Sequence, residues 1–305
     1  MRKQFICDAR FALTIETRGP VLIKAGESGV TGPDMAFVRT YGYGLDKAYP
    51  YLPGSSLKGV FRSYVEQIAR TLKPNTVPVC LPYNFERGQE QSCGKRFNKQ
   101  TPRPEVYRKE CLACRMFGSL EFKGRVLIDD AYSPAPRDIV EEVRDGVAID
   151  RKTGGAANKV KYDLEVVTRG LFKTSVTIEN FETWQLGAMW LVLSDLKDER
   201  IRIGMGTSRG LGHVKGTVES LALRYHSKHN GRLAGIERLG GVDVGRDYGL
   251  FSSGKELPNL GQHVAEGLWN VHRIEGEAIG PVMSSARDEF VAFIEKYRWN
   301  GGGSS

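Results

Sequence analysis

The stretch 50–72 constrains this chain most, because a proline-bracketed approach runs there into a long apolar stripe. Pro50 and Pro53 hold the backbone extended, since proline disfavours helical geometry in the residue before it. Gly54 then turns the chain, and Ser55 or Ser56 can cap a helix started there. Leu57, Val60, Phe61, Tyr64, Val65, Ile68 and Leu72 recur at helical spacing on one face, which predicts an amphipathic helix laid on a core. Lys58 and Arg62 stand one turn apart beside that face, near a helix start whose free N–H groups attract anions. GSSLKG lacks the spacing and the GK[ST] ending of a phosphate-cradling P-loop, so that reading is excluded.

Upstream, apolar residues occupy every odd position from Phe5 to Ile15, with Gln4, Asp8, Arg10, Thr14 and Glu16 on the other side. That alternation predicts a strand with one face on a helix layer, and it assigns Cys7 to core packing. Between strand and helix lies a loop punctuated by Gly29, Gly32 and Pro33, carrying Asp34 and then Arg39.

Segment 73–116 breaks the pattern, being rich in proline and cations with little periodicity. Its cysteines Cys80, Cys93, Cys111 and Cys114 are spaced C-x12-C-x17-C-x2-C. A Cys-x-x-Cys pair at a turn presents two thiolates to one tetrahedral ion, and the distant pair completes the set. We therefore expect a closed structural zinc site that holds the insertion together and does no chemistry. Asp129 and Asp130 come next on a short strand; as neighbours they point to opposite faces, which argues against a paired-carboxylate acid–base site.

Further on, Tyr162, Leu164 and Val166 alternate with Lys161, Asp163 and Glu165, reading as one arm of an exposed hairpin with a small basic tip over 150–159. A strand is predicted over 171–178, a helix over 182–196 and a strand from about 214 to 225. The loop before that last strand carries Gly204, Gly206, Gly210 and Gly212. With Arg209 in place of the third glycine of G-x-G-x-x-G, it fails as a dinucleotide fingerprint. His213 is assigned to packing rather than to general-base chemistry. Beyond 226 no motif appears, only glycine-rich turns and one helix predicted over 285–297.

In order, these elements read β-α-(insertion)-β-hairpin-β-α-β, an α+β class with a ferredoxin-like, RRM-like sheet and two helices on one face. A net charge of +8 and a pI near 9.2 suit a polyanionic partner. No apolar run is long enough to span a bilayer and the start has no signal-peptide core, so the expected location is cytoplasmic, with no membrane partner. The terminal GGGSS, 301–305, reads as a linker.

Five stretches together resemble the RAMP superfamily, in the form of the backbone subunits of type III CRISPR RNA-guided effector complexes. The Asp34–Arg39 loop leading into PGSSLKGVFR resembles the family's signature. CRMFG and RVLIDDA resemble its C-x-x-C-R-L-F-G and R-V-x-x-x-D-A run, 149–167 its thumb, and GMGTSRGLG its late glycine loop. The resemblance divides the chain into a first palm half with the catalytic loop (1–72), a zinc insertion (73–116), and a second palm half (117–225) bearing the thumb (about 145–170). A C-terminal extension of unknown role (226–300) completes it. It implies guide CRISPR RNA, target RNA and neighbouring effector subunits as partners. It further implies Asp34 as a catalytic carboxylate cutting target RNA, with Mg²⁺ or Mn²⁺ held against the scissile phosphate. Arg39, Ser55, Ser56, Lys58, Arg62, Arg151, Lys152, Lys159, Gly204, Gly206, Arg209, Gly210 and Gly212 are the implied RNA contacts. Glycines let main-chain N–H groups approach phosphate closely. Two alternatives stay open at this point, a non-catalytic guide-RNA scaffold and a guide-processing endoribonuclease relying on histidine.

Overall fold

The alternation at the N-terminus becomes strand β1, Cys7–Thr17, in a computed structural model that describes residues 4–26, 32–42, 46–76, 78–81, 92–226 and 229–299. Gly29 and the terminal GGGSS lie outside the described residues, as do the side chains of 157–160 and hence that of Lys159. A short ribbon, β2 (Arg39–Tyr41) with β3 (Ala48–Pro50), leads into helix α1, Gly54–Leu72. The cysteine-bearing segment contributes three short helices, α2 (Cys93–Arg96), α3 (Arg103–Lys109) and α4 (Leu112–Phe117). Strand β4 (Val126–Ile128), the hairpin β5 (Val140–Ile149) and β6 (Ala156–Arg169), and strand β7 (Leu171–Glu179) come next. Helix α5 (Thr183–Lys197) and strand β8 (Val214–His226) complete the order read from the sequence.

The last segment does more than trail. After α6 (Ile236–Leu239) and α7 (Gly241–Tyr248), it adds β9 (Val264–Glu266), β10 (Trp269–Glu275) and helix α8 (Ile279–Lys296), six residues longer at its start than expected. All pairs in the resulting six-stranded sheet are antiparallel, in the order β4-β7-β1-β8-β10-β9.

Cys7, Ala9, Phe11, Leu13 and Ile15 point from β1 into the core, as their period of two requires. Leu57, Phe61 and Val65 of α1 and Trp184, Leu186, Met189, Val192 and Leu193 of α5 meet the same core. Helix α8 packs on α5 so closely that a Cβ on Gly187 would stand 2.0 Å from the Ala286 carbonyl oxygen. Trp184 stacks on Phe293 there, centroids 4.1 Å apart. The insertion joins the core through Val79, Cys93, Leu112 and Met116. Its Tyr107 is fully buried and bonded to Glu182 and Gln185 of the α5 start. Among the described residues no helix is long and apolar enough to cross a membrane.

Candidate nucleic-acid interface and metal centre

The start of α1 is built differently from the serine cap expected of it. Pro53 is the N-cap and no serine side chain caps the helix; the Gly54 N–H instead donates to Asp130 Oδ1 at 2.7 Å. Glycine is required at that position, since a Cβ would meet the Ile128 carbonyl oxygen at 2.3 Å. Asp130 therefore already supplies an anion to the helix terminus. Asp129, its neighbour, bonds the Ser175 hydroxyl, so the two carboxylates serve separate structural contacts. Ser55 is exposed and Ser56 half-buried beside this junction.

Lys58, one turn on, has a depressed pKa, caused first by burial and then by the cations of Arg62 and Lys123. Arg62, expected to face RNA, is spent internally. Its Nε donates to Glu66 Oε1 at 3.0 Å, Nη1 to the Gly118 carbonyl at 2.9 Å, and Nη2 to Cys114 Sγ at 3.3 Å. Burial opposes its charge, but Cys114 and Glu66 outweigh that and raise its pKa.

Those contacts reach the cysteine cluster. Cys80, Cys93, Cys111 and Cys114 are buried, with all four sulfurs within 4.8 Å of one another. A tetrahedral ion bound at about 2.3 Å needs sulfurs about 3.8 Å apart. The Cys80–Cys114 separation is 3.6 Å, so the donor set and its spacing are compatible with a structural zinc. Contacts among the four sulfurs push the Cys93 and Cys114 thiols up and the Cys80 thiol down, as expected of side chains that share one small buried space.

A second unit gathers around Asp34. Met35 bridges to Leu164 of β6, with Met35 N–H donating to the Asp163 carbonyl and Glu165 N–H returning to the Met35 carbonyl, both at 3.0 Å. The exposed Asp34 carboxylate accepts the Asp163 N–H at 3.1 Å. Asp163 pairs across the hairpin with Asp145, and its pKa is raised, first by Asp145 and further by Asp34. Sequence alone offered no second carboxylate beside Asp34; the hairpin brings Asp163 to it, with Asp145 across the hairpin ion-paired to Lys161 at 3.2 Å. Arg39 also finds partners that spacing did not show. It bonds Glu141 of β5 and, at 2.7 Å, Glu165 Oε1 of β6, so it staples the loop to the hairpin root instead of standing open to phosphate. Burial works against its charge, and the two glutamates more than compensate.

The glycine loop closes the same unit. Its Gly204, Gly206, Gly210 and Gly212 all have positive φ. At Gly204 and Gly212 a Cβ would strike the Leu22 and Ile203 carbonyls at 2.2 and 2.4 Å. The N–H groups of Met205 and Gly212 donate to Leu22 and Pro20 carbonyls, and those of Arg209 and Leu211 to Gly206. At Gly204 and Gly212 the close approach is thus made to the chain's own backbone, whereas at Gly210 a Cβ would meet nothing within 4 Å. Arg209 reaches the hairpin through the Tyr162 hydroxyl at 2.8 Å. His213 is paired with Glu199 at 2.8 Å. At the hairpin tip, Arg151 and Lys152 are exposed on a turn that Asp150 closes by accepting the Lys152 N–H and Thr153 hydroxyl.

The structure thus brings Asp34, Arg39, Arg209 and the hairpin into one unit, and joins Arg62, with Lys58 beside it, to the cysteine cluster through Arg62 alone. The residues missed in sequence are Asp145, Asp163, Glu141, Glu165 and Tyr162; the alternation of 161–166 pointed to the faces of Tyr162, Asp163 and Glu165, and nothing pointed to those of Glu141 and Asp145. The model of one family, the RAMP superfamily, matches residues 14–215, from β1 to the first residues of β8. No curated protein matches the chain.

Proposed function

Because the chain belongs to the RAMP superfamily, which supports a CRISPR-associated RNA-binding role, we propose that it is a guide-RNA-binding backbone subunit of a type III effector complex that cuts target RNA through Asp34. The strand order β4-β7-β1-β8, with α1 and α5 as crossovers, supports reading the central unit as a ferredoxin-like palm. The exposed β5–β6 hairpin is its thumb. The observation that carries the proposal is the seating of Asp34 at the thumb root, where main-chain bonds fix the loop and the Asp163 N–H fixes the carboxylate.

A bound Mg²⁺ or Mn²⁺ would neutralise charge at the scissile phosphate. Asp34 is the carboxylate that would hold such an ion; among the described residues only the four cysteines are gathered closely enough to form a complete ligand group. Arg39 and its two glutamates keep the loop in register with the thumb, so that Asp34 is oriented before RNA arrives. Lys58, Arg209, Arg151 and Lys152 supply cations for the RNA backbone, and recognition through phosphates leaves sequence to the guide's own pairing. The neighbouring subunits and the guide are expected to copurify. One observation favours the scaffold alternative: the Asp34–Asp163 bond is also what a purely loop-anchoring aspartate makes.

Binding of unrelated single-stranded RNAs, measured by anisotropy over a salt series, tests the reading. Affinity should fall steeply with salt, and Lys58→Ala or Arg209→Ala should weaken all sequences alike, each lowering the log–log salt slope by about 1. Salt-independent binding, or losses that differ sharply between sequences, would contradict it.

A further inference from the structure

Each cysteine sulfur of the metal centre is faced by a donor, and one of the four is unlike the rest. The Cys111 N–H donates to Cys93 Sγ at 3.2 Å and the Cys114 N–H to Cys111 Sγ at 3.5 Å. The Cys93 N–H is directed at Cys80. Among the described residues, Cys114 alone receives a charged side chain, the Arg62 guanidinium. That guanidinium is fixed at its other positions by Glu66 and the Gly118 carbonyl, and Glu66 is steadied in turn by Arg70 at 3.5 Å.

We infer that Arg62 is a positioning residue for the metal centre, acting through Cys114 Sγ and fastening the centre to α1. This rests on the zinc reading of the four cysteines. Four thiolates around a divalent ion leave a net negative charge in a buried place, which the interior tolerates only where donors or cations answer it. Backbone N–H groups answer three sulfurs with partial charges; Arg62 brings a full charge to the fourth. For a sulfur already held as thiolate by the metal, a charged hydrogen-bond donor lowers its basicity and with it its nucleophilicity, so Cys114 is the sulfur most protected while Arg62 is in place. Only a planar fork can serve Glu66, Gly118 and Cys114 at once, which an ammonium cannot. Arg62, the residue that family resemblance assigns to RNA, is on this account committed to the zinc.

The test uses the full chain as purified, with Arg62→Met, Arg62→Lys and Glu66→Gln. Metal analysis of the wild type comes first, and about one zinc per chain is expected. Zinc transfer to a chromogenic chelator then gives affinity, and peptide mapping after brief alkylation gives the order in which the four cysteines react. Arg62→Met should lose about 10-fold or more in zinc affinity, the range that outer contacts of metal ligands command. It should also move Cys114 from the slowest cysteine to the fastest. Arg62→Lys should recover part of both effects, and it carries the test should Arg62→Met fail to fold. Glu66→Gln should lower the melting temperature and leave the alkylation order alone. Zinc in the wild type, with affinity and alkylation order unchanged in the folded Arg62 variants, overturns the role of Arg62. A metal-free wild type with an ordered insertion overturns the zinc reading itself.

Discussion

Strand β5 leaves Val143, Val147 and Ile149 exposed at 59%, 49% and 59%, whereas α8 buries Ile279, Met283, Ala286, Phe290 and Phe293 almost completely. The β5–β6 hairpin carries a recognisable motif and contributes little core. The C-terminal segment carries none, yet it extends the sheet by two strands and covers α5. Holding the hairpin falls to its root, where Val166 and Val167 are buried, Val21 and Met35 bridge to β6, and Arg39 binds Glu141 and Glu165. A segment fixed only at its base has its surface available for a partner. One that carries the core does not, because each of its apolar side chains adds about 1.5–3 kcal/mol by being buried.

Removing each region is the sharpest way to separate them. A chain ended at His226 would bare the β8 edge and one face of α5, and we expect it to show no cooperative thermal transition by circular dichroism. Replacing the tip 150–155 by a two-residue turn should leave stability within about 0.5 kcal/mol of the parent. Similar losses from the two changes would erase the distinction. A single atom should reproduce it on a smaller scale. Gly187→Ala places a Cβ 2.0 Å from the Ala286 carbonyl and should cost about 1–3 kcal/mol in denaturant melts, against less than about 0.5 for Val147→Ser in the hairpin.

Proton linkage gives a third contrast. Glu237, its side chain 2% exposed, accepts the Thr183 hydroxyl at 2.6 Å and so ties the extension to the α5 start. Burial, with the nearby Glu182 charge adding to it, raises its pKa from 4.5 to about 7. The folded protein therefore binds more protons than the unfolded chain between those values. Stability from this group is present in full below pH 4.5 and is lost as pH rises toward 7, by at most about 1.4 kcal/mol per pH unit. Melts across that range should show the decline, and Glu237→Gln should flatten it. An unchanged slope would remove Glu237 from this role.

Local pattern carried the order of elements well. The odd-position apolar residues of β1, the stripe of α1 and the four cysteines each spoke through spacing alone, because one face or one ion imposes the period. What spacing could not carry was the partner of each cation. Arg39 and Arg62 read as exposed charges since Glu141 and Glu165 lie 102 and 126 residues from Arg39, and Cys114 lies 52 from Arg62. The pairing of Asp34 with Asp163 depends likewise on a register that brings together residues 129 positions apart. The extension was illegible for another reason: its strands are three and seven residues long, and β9 is wholly exposed, so alternation hardly registers before the sheet assembles.

The central claim is that Asp34 is the carboxylate that cuts, and Asp34→Asn in the assembled complex tests it most directly. Asparagine keeps nearly the same shape and a side-chain oxygen for the Asp163 N–H, but it removes the charge. Guide binding, assembly and target binding should match the wild type, while mapped cleavage of a labelled complementary RNA should vanish at this subunit's position. Chelation by EDTA should abolish cleavage in the wild type as well. Undiminished cleavage at that position by the intact Asp34→Asn complex would show Asp34 to be a loop anchor, and the subunit a scaffold.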